Sequence, residues 1–380
     1  MFEVFNLRDD AFPITPADRD GTPWFGFEDL KAEFEDVLGR SMKEQPRLCV
    51  LNRGRFGSGK THAAKHFNAK VSAQGGSGPY HRCVPILVEA PKQPAKAFSE
   101  FTTRVLNAVT VRRIMDTARN LRTLSNVDEV FARLLEATGS EDIATVLSHV
   151  DDPNLLASKT FLLGGGTATD LRKLGVAKKL STDHELATAI AGVLTLLMHG
   201  QSHERTTISR VLLWMDEMED LVFFSTRYYL PFTQAIREIL DRHGSHLTVF
   251  WNFTFSEPED LPAIENVLGQ ALMQRVNQHI VFREATRDDM RKYLRELLAY
   301  NRRSNDDCPE TFPFTTRAFD RLVQSCVSKT PRFMNKLCDS LLRKVLSDFP
   351  NDLKPGEVIP DSVVDQSLPG LLDLLEDVRG

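Results

Sequence analysis

Five short, largely apolar runs punctuate the chain: Leu48–Leu51, Val84–Val88, Val211–Met215, Leu247–Trp251 and His279–Phe282. Between them apolar residues recur at helical spacing, as Leu30, Phe34, Val37 and Leu38 do after Glu28. Continuous apolar runs bounded by turns and separated by helices predict a parallel sheet with helices on both faces. Pro85 has no N–H for a ladder, so its run belongs at a sheet edge or starts there. From about 95 to 205 the pattern is almost entirely helical, and from Asp288 onward helices are indicated at 288–302, 316–327 and 331–346. The expected architecture is α/β: a sheet-bearing core over 1–285 with a helical insertion at about 95–205, a helical lid over 286–346 and an acidic tail over 347–380.

The 380 residues exceed one typical domain, and 42% hydrophobic with 26% charged residues excludes wholesale disorder. A net charge of −5 excludes a globally basic nucleic-acid coat and leaves only local basic faces. One such face lies in the lid. Residues 283–344 carry 14 basic against 9 acidic side chains, whereas 345–380 carry 2 against 8. Arg287, Arg291 and Arg295 form a stripe at i, i+4 and i+8, with Lys292 beside it. This stripe is the candidate contact for duplex DNA, although a solvated helix face is the commoner origin of such a pattern. Five scattered cysteines without C-x-x-C spacing argue against a disulfide framework or cysteine-rich zinc site and fit a reducing cytosol. No run approaches the ~20 apolar residues of a membrane span, and Met1–Phe5 lacks the charged-then-apolar pattern of a secretory signal. The expected location is the cytoplasm, with no membrane partner.

The chemistry concentrates in Gly54-Arg55-Phe56-Gly57-Ser58-Gly59-Lys60-Thr61, a complete G-x-x-x-x-G-K-[ST] loop between an apolar strand and a helix. Gly54, Gly57 and Gly59, with Ser58, let backbone N–H groups turn around phosphate oxygens, and the following helix presents its positive end to the same anion. Lys60 supplies a point charge for the β- and γ-phosphates, and Thr61 a hydroxyl for Mg²⁺. The strand Val211–Met215 ends in Asp216 and Glu217. Asp216 is placed to hold Mg²⁺ through its water shell, and Glu217 to orient or deprotonate an attacking water. ATP and Mg²⁺ are the expected cofactors.

The order of strand, phosphate loop, strand, long helical segment, Asp-Glu strand, strand and small helical domain resembles the AAA+ ATPases. Phe5-Asn6-Leu7-Arg8-Asp9-Asp10-Ala11-Phe12-Pro13-Ile14-Thr15-Pro16 is similar to the opening of the ExeA-like ATPases and their TnsC/TniB relatives, but has Ala11-Phe12-Pro13 in place of a Pro before the Phe. Ser328–Asp339 follows that group's lid pattern, with Thr330 in place of Gly. The origin-recognition and helicase-loader ATPases share the broad arrangement. The resemblance covers 1–70, 205–285 and 310–345 and leaves about 95–205 uncovered. It implies that Asn252, with Thr254 as competitor, is the sensor-1 polar residue and that Arg332 is a lid arginine reading the γ-phosphate. It places Arg275 as an arginine finger directed at a neighbouring subunit, where the competing reading is a solvated helix arginine.

The implied function is an ATP-dependent switch in a DNA transaction (transposition, replication-like loading or anti-phage defence), working as a homo-oligomer with a partner protein. The alternatives are a cell-envelope or secretion ATPase, and a scaffold that holds nucleotide without turnover. Other features point to structure. His62 and His66 are i, i+4 on one helix face but lack the H-E-x-x-H pattern of zinc enzymes, and Gly164-Gly165-Gly166 suggests a hinge rather than a second phosphate cradle.

Overall fold

The computed structural model describes residues 2–14, 23–43, 48–73, 78–200, 208–222, 226–255, 261–304, 308–348 and 358–377. The strands are β1 (Leu48–Gly54), β2 (Cys83–Glu89), β3 (Arg210–Asp216), β4 (Leu247–Thr254) and β5 (Gln278–Phe282). Their spatial order is β2-β3-β4-β1-β5, and β2/β3, β3/β4 and β4/β1 pair in parallel. Pro85 sits on β2, an edge strand, where its missing N–H removes no inner ladder bond.

Helices α1 (Glu28–Met42) and α2 (Lys60–Ala73) flank β1 in sequence. The insertion supplies α3 (Ala97–Val109), α4 (Val111–Leu124), α5 (Val127–Thr138), α6 (Glu141–Ser148), α7 (Leu155–Leu162), α8 (Ala168–Leu174) and α9 (Asp183–Gly200). Then follow α10 (Thr226–His243), α11 (Leu261–Met273), α12 (Arg287–Asn301), α13 (Thr316–Ser325), α14 (Pro331–Asp348) and α15 (Asp361–Asp377).

The chain divides into two compact units. One comprises 33–54 and 67–281 and contains the sheet and the insertion. The two-residue period of its inner strands sorts side chains between two faces. Val211, Leu213, Met215, Val249 and Trp251 join a core with α3, α9 and α10. Trp214 and Phe250 point the other way and stack at 3.7 Å, with Phe34 of α1 5.8 Å from the Trp214 ring. Helix α9 is buried on every side from Leu186 to Met198 and is packed by α3, α4, α5, α6 and α10, as its largely apolar sequence there requires. The three glycines after α7 form a packed turn instead of the expected hinge. Gly164 has φ +78°, and a Cβ there would lie 2.9 Å from the Leu180 carbonyl oxygen.

The other unit comprises 1–32, 55–66 and 282–380. Its core joins α12, α13 and α14 with two segments that the sequence pattern placed elsewhere. Phe2, Phe5, Leu7 and Phe12, expected to open the sheet-bearing core, are buried here. The expected acidic tail contributes α15, whose Val364, Leu368 and Leu371 lie at i, i+4 and i+7 and face the same core. The two segments that carry the family resemblance touch each other: Asn335 Nδ2 donates to the Pro13 carbonyl at 2.7 Å and its Oδ1 accepts from the Tyr293 hydroxyl at 2.9 Å.

Candidate functional site

Gly54 ends β1 and its carbonyl accepts from the Phe255 N–H at 3.1 Å. The chain then turns through Arg55–Gly59, where the Ser58 N–H donates to the Arg55 carbonyl at 3.2 Å, and enters α2 at Lys60. Gly57 and Gly59 take φ of +76° and +105°, which side chains rarely adopt, so these two glycines meet a conformational demand. Lys60 is 6% exposed. Its Nζ donates to the Arg55 carbonyl at 3.0 Å and to Ser58 Oγ at 3.4 Å, which folds the ammonium over its own loop. Thr61 follows within the first turn of α2. In the same unit Arg332, the second residue of α14, lies against the loop. Its guanidinium carbon is 4.3 Å from the centre of the Phe56 ring, and a Cβ on Gly57 would come within 3.0 Å of Arg332 Cβ.

The sheet-bearing unit holds a buried polar relay at the ends of three neighbouring strands. Asn52 on β1 donates to Asn252 Oδ1 on β4 at 2.7 Å, and Asn252 Nδ2 donates to Asp216 Oδ1 on β3 at 3.0 Å. Parallel register makes this contact, since Asn52 and Asn252 are direct partners. Both asparagines are fully buried and Asp216 is 5% exposed. Asn252 is thus the polar residue beside the β3 carboxylate. Thr254 instead presents its backbone N–H to Glu219 at 3.0 Å.

Glu217 takes a left-handed φ of 56°, a backbone conformation uncommon for a residue with a side chain and frequent at chemical sites. Its carboxylate pairs with Lys92 Nζ at 3.1 Å. That hydrogen bond raises the Lys92 pKa, with the Glu217 charge adding to it. The segment bearing Lys92 is fixed by Glu100 of α3, which accepts from the Lys92 and Gln93 N–H groups at 2.9 and 3.0 Å. Neither Lys92 nor Asn52 was foreseeable from sequence, because neither lies in a motif and both partners are distant along the chain.

Arg275 follows α11 and forms a two-pronged pair with Asp241 of α10, at 2.8 and 2.9 Å from Nη2. In this chain its guanidinium is engaged within its own subunit rather than presented outward. The lid stripe is also matched by carboxylates: Arg291 with Asp320 at 2.9 Å, Arg295 with Glu310 at 3.2 Å, and Lys292 with Glu28 at 3.5 Å. The surplus counted along the sequence is therefore neutralised locally at three of its four positions. His62 Nε2 lies 2.9 Å from the Pro23 carbonyl, and His66 meets the Trp24 ring edge-on at 5.4 Å, so both histidines pack the segment before α1.

Each unit carries a donor chemically suited to Mg²⁺: Asp216 is a buried carboxylate in the sheet-bearing unit, and Thr61 in the first turn of α2 carries a hydroxyl, both hard oxygen donors. Among the described residues no group of three or more His, Cys, Asp and Glu side chains forms a metal cage, and no helix is long and apolar enough to cross a membrane.

No protein-family model matches this sequence, and no curated protein does. Solved structures do match. Drosophila ORC bound to DNA superposes with a TM-score of 0.52 at 12% identity, covering 95% of this chain and 65% of that one. The Aeropyrum pernix ORC1 protein in complex with DNA gives 0.48 at 11% identity, covering 96% and 70%. A Walker-type ATPase of Pyrococcus abyssi gives 0.47 at 13% identity, covering 97% and 79%. This chain thus spans less than two thirds of the Drosophila chain's length. The likeness to the Drosophila ORC structure is one of fold: an α/β parallel sheet of the P-loop NTPase kind with helices on both faces.

Proposed function

We propose that this chain binds ATP with Mg²⁺ and hydrolyses it, using the turnover as an assembly-coupled switch in a DNA transaction. The observation that carries the reading is the buried relay Asn52–Asn252–Asp216 at the ends of β1, β4 and β3, with β1 running directly into the phosphate loop. A buried carboxylate held by one side-chain amide, at the mouth of a parallel sheet, has a clear use as a metal anchor.

In this reading Gly54, Gly57, Ser58, Gly59 and Lys60 hold the phosphates. Thr61 and Asp216 hold Mg²⁺, which when bound neutralises charge on the phosphate oxygens. Asn252 keeps Asp216 oriented and Arg332 reads the terminal phosphate. Glu217 orients the water and takes its proton, so the Lys92 ion pair must open or shift during a cycle. Arg275 serves a neighbouring subunit only by leaving Asp241, which makes assembly a competition between the two.

The DNA part is supported by the likeness to an ORC structure bound to DNA, and by the segment resemblance to transposition ATPases. The neutralised lid stripe gives it no help. A scaffold that holds nucleotide without turnover is the second reading, favoured by the Lys92–Glu217 pair.

Phosphate release separates the two. The wild-type chain should release phosphate from ATP with Mg²⁺, while Glu217→Gln should retain ATP binding and lose turnover. Absence of release from the wild-type chain over a range of protein concentrations and with duplex DNA would leave the scaffold reading in place.

A further inference from the structure

Phe56 stands at a phosphate-loop position where the motif accepts any residue, yet it presents an aromatic ring that is 69% exposed. A single exposed apolar side chain is ordinary on a protein surface, so the ring's meaning rests on what it touches. In the structure the ring has a partner, the Arg332 guanidinium, whose carbon lies 4.3 Å from its centre. The contact is one of several. Arg332 Nε donates to the Ile14 carbonyl at 3.2 Å, and Gly57 leaves room for Arg332 Cβ, which a Cβ at Gly57 would crowd at 3.0 Å. Glu284 draws Arg55 and Lys329 together from 3.9 and 3.7 Å.

We infer that Phe56 is a positioning residue, an aromatic platform that orients Arg332 toward an anion held by the phosphate loop. A guanidinium has two faces for stacking and an edge of N–H donors. The guanidinium carbon lies over the Phe56 ring, and Ile14 takes Nε. The two Nη groups have no hydrogen-bond or ion-pair partner among the described residues, so the edge suited to a phosphate remains available. The platform fixes a side chain that would otherwise sample many rotamers, and it does so without competing for the donors. This inference rests on the reading of Arg332 as the residue that senses the terminal phosphate, and it adds the residue that aims it.

Calorimetric titration of ATP and ADP tests it, with wild type, Phe56→Leu, Phe56→Tyr, Arg332→Met and the double variant Phe56→Leu/Arg332→Met. Because the ring is exposed, none of the Phe56 changes should lower the melting temperature appreciably. Phe56→Leu should weaken ATP roughly three- to tenfold, the range expected when a cation–π contact is lost, and change ADP by less than about twofold. Phe56→Tyr should restore wild-type affinity, and Phe56→Leu should cause no further loss once Arg332 is Met. Unchanged ATP affinity in Phe56→Leu, an equal loss for ADP, or additive losses in the double variant would each overturn the platform alone. A wild-type chain that binds neither nucleotide would overturn the proposed function and the platform together.

Discussion

Asn252 cannot be removed without stranding two neighbours, because it donates to Asp216 and accepts from Asn52 in a site closed to solvent. Asn252→Ala should therefore lower stability by about 1–3 kcal/mol, the usual cost of leaving buried polar groups unpaired, and a urea titration of the variant would measure it. Its turnover should fall as well, since Asp216 loses the amide that orients it. Lys92 poses the opposite case. The ammonium neutralises Glu217, so Lys92→Met should free the carboxylate and raise phosphate release about two- to tenfold at unchanged ATP affinity. A fall in turnover would show that Lys92 aids the chemistry instead of restraining it. Lys60, Asp216 and Glu217 could be named as candidates from the sequence because each stands in a motif of consecutive residues. Asn52 and Lys92 were not, since their roles arise from strand register and from a loop held by Glu100, both invisible without the fold.

At the level of elements, the last helix is open to a direct test. Leu368 of α15 is 4% exposed in the core shared with α13 and α14. Leu368→Ala should cost about 2–4 kcal/mol, read as a lowered urea midpoint, whereas an unpacked tail would tolerate it. By contrast, Arg291→Ala removes a half-exposed ion pair with Asp320 and should change stability by about 1 kcal/mol or less. The strands were legible as apolar runs, and Pro85 correctly indicated an edge. The last helix was obscured by the tail's surplus of acids, although Val364, Leu368 and Leu371 keep helical spacing. The aromatic N-terminal segment offered no periodicity, so its membership in the lid core emerged only from long-range contacts such as Asn301 Nδ2 to the Ala11 carbonyl at 3.1 Å. Arg275 shows the same limit: the resemblance implied a finger for a neighbouring subunit, and its pair with Asp241 emerges only from the packing of α10 beside α11.

For the whole molecule, one buried and two half-buried histidines contribute to the response to acid. Burial pushes His62, His199 and His243 down to about 4 from an ordinary value of 6.5. The folded chain refuses protons that the unfolded chain accepts between those values, so these residues favour unfolding as pH falls through that window and contribute no pH dependence above it. The melting temperature should decline from pH 6.5 toward 4, and His243→Gln should flatten part of that decline. The central claim is that the loop ending β1 holds the phosphates of ATP, with Lys60 as its charge. Calorimetric titration of ATP with Mg²⁺ into the wild-type chain and into Lys60→Ala tests it most directly. Saturable binding by the wild type is expected, with at least about a tenfold loss in the variant, the cost of one charge-assisted phosphate contact. Equal affinity in the two proteins would contradict the claim.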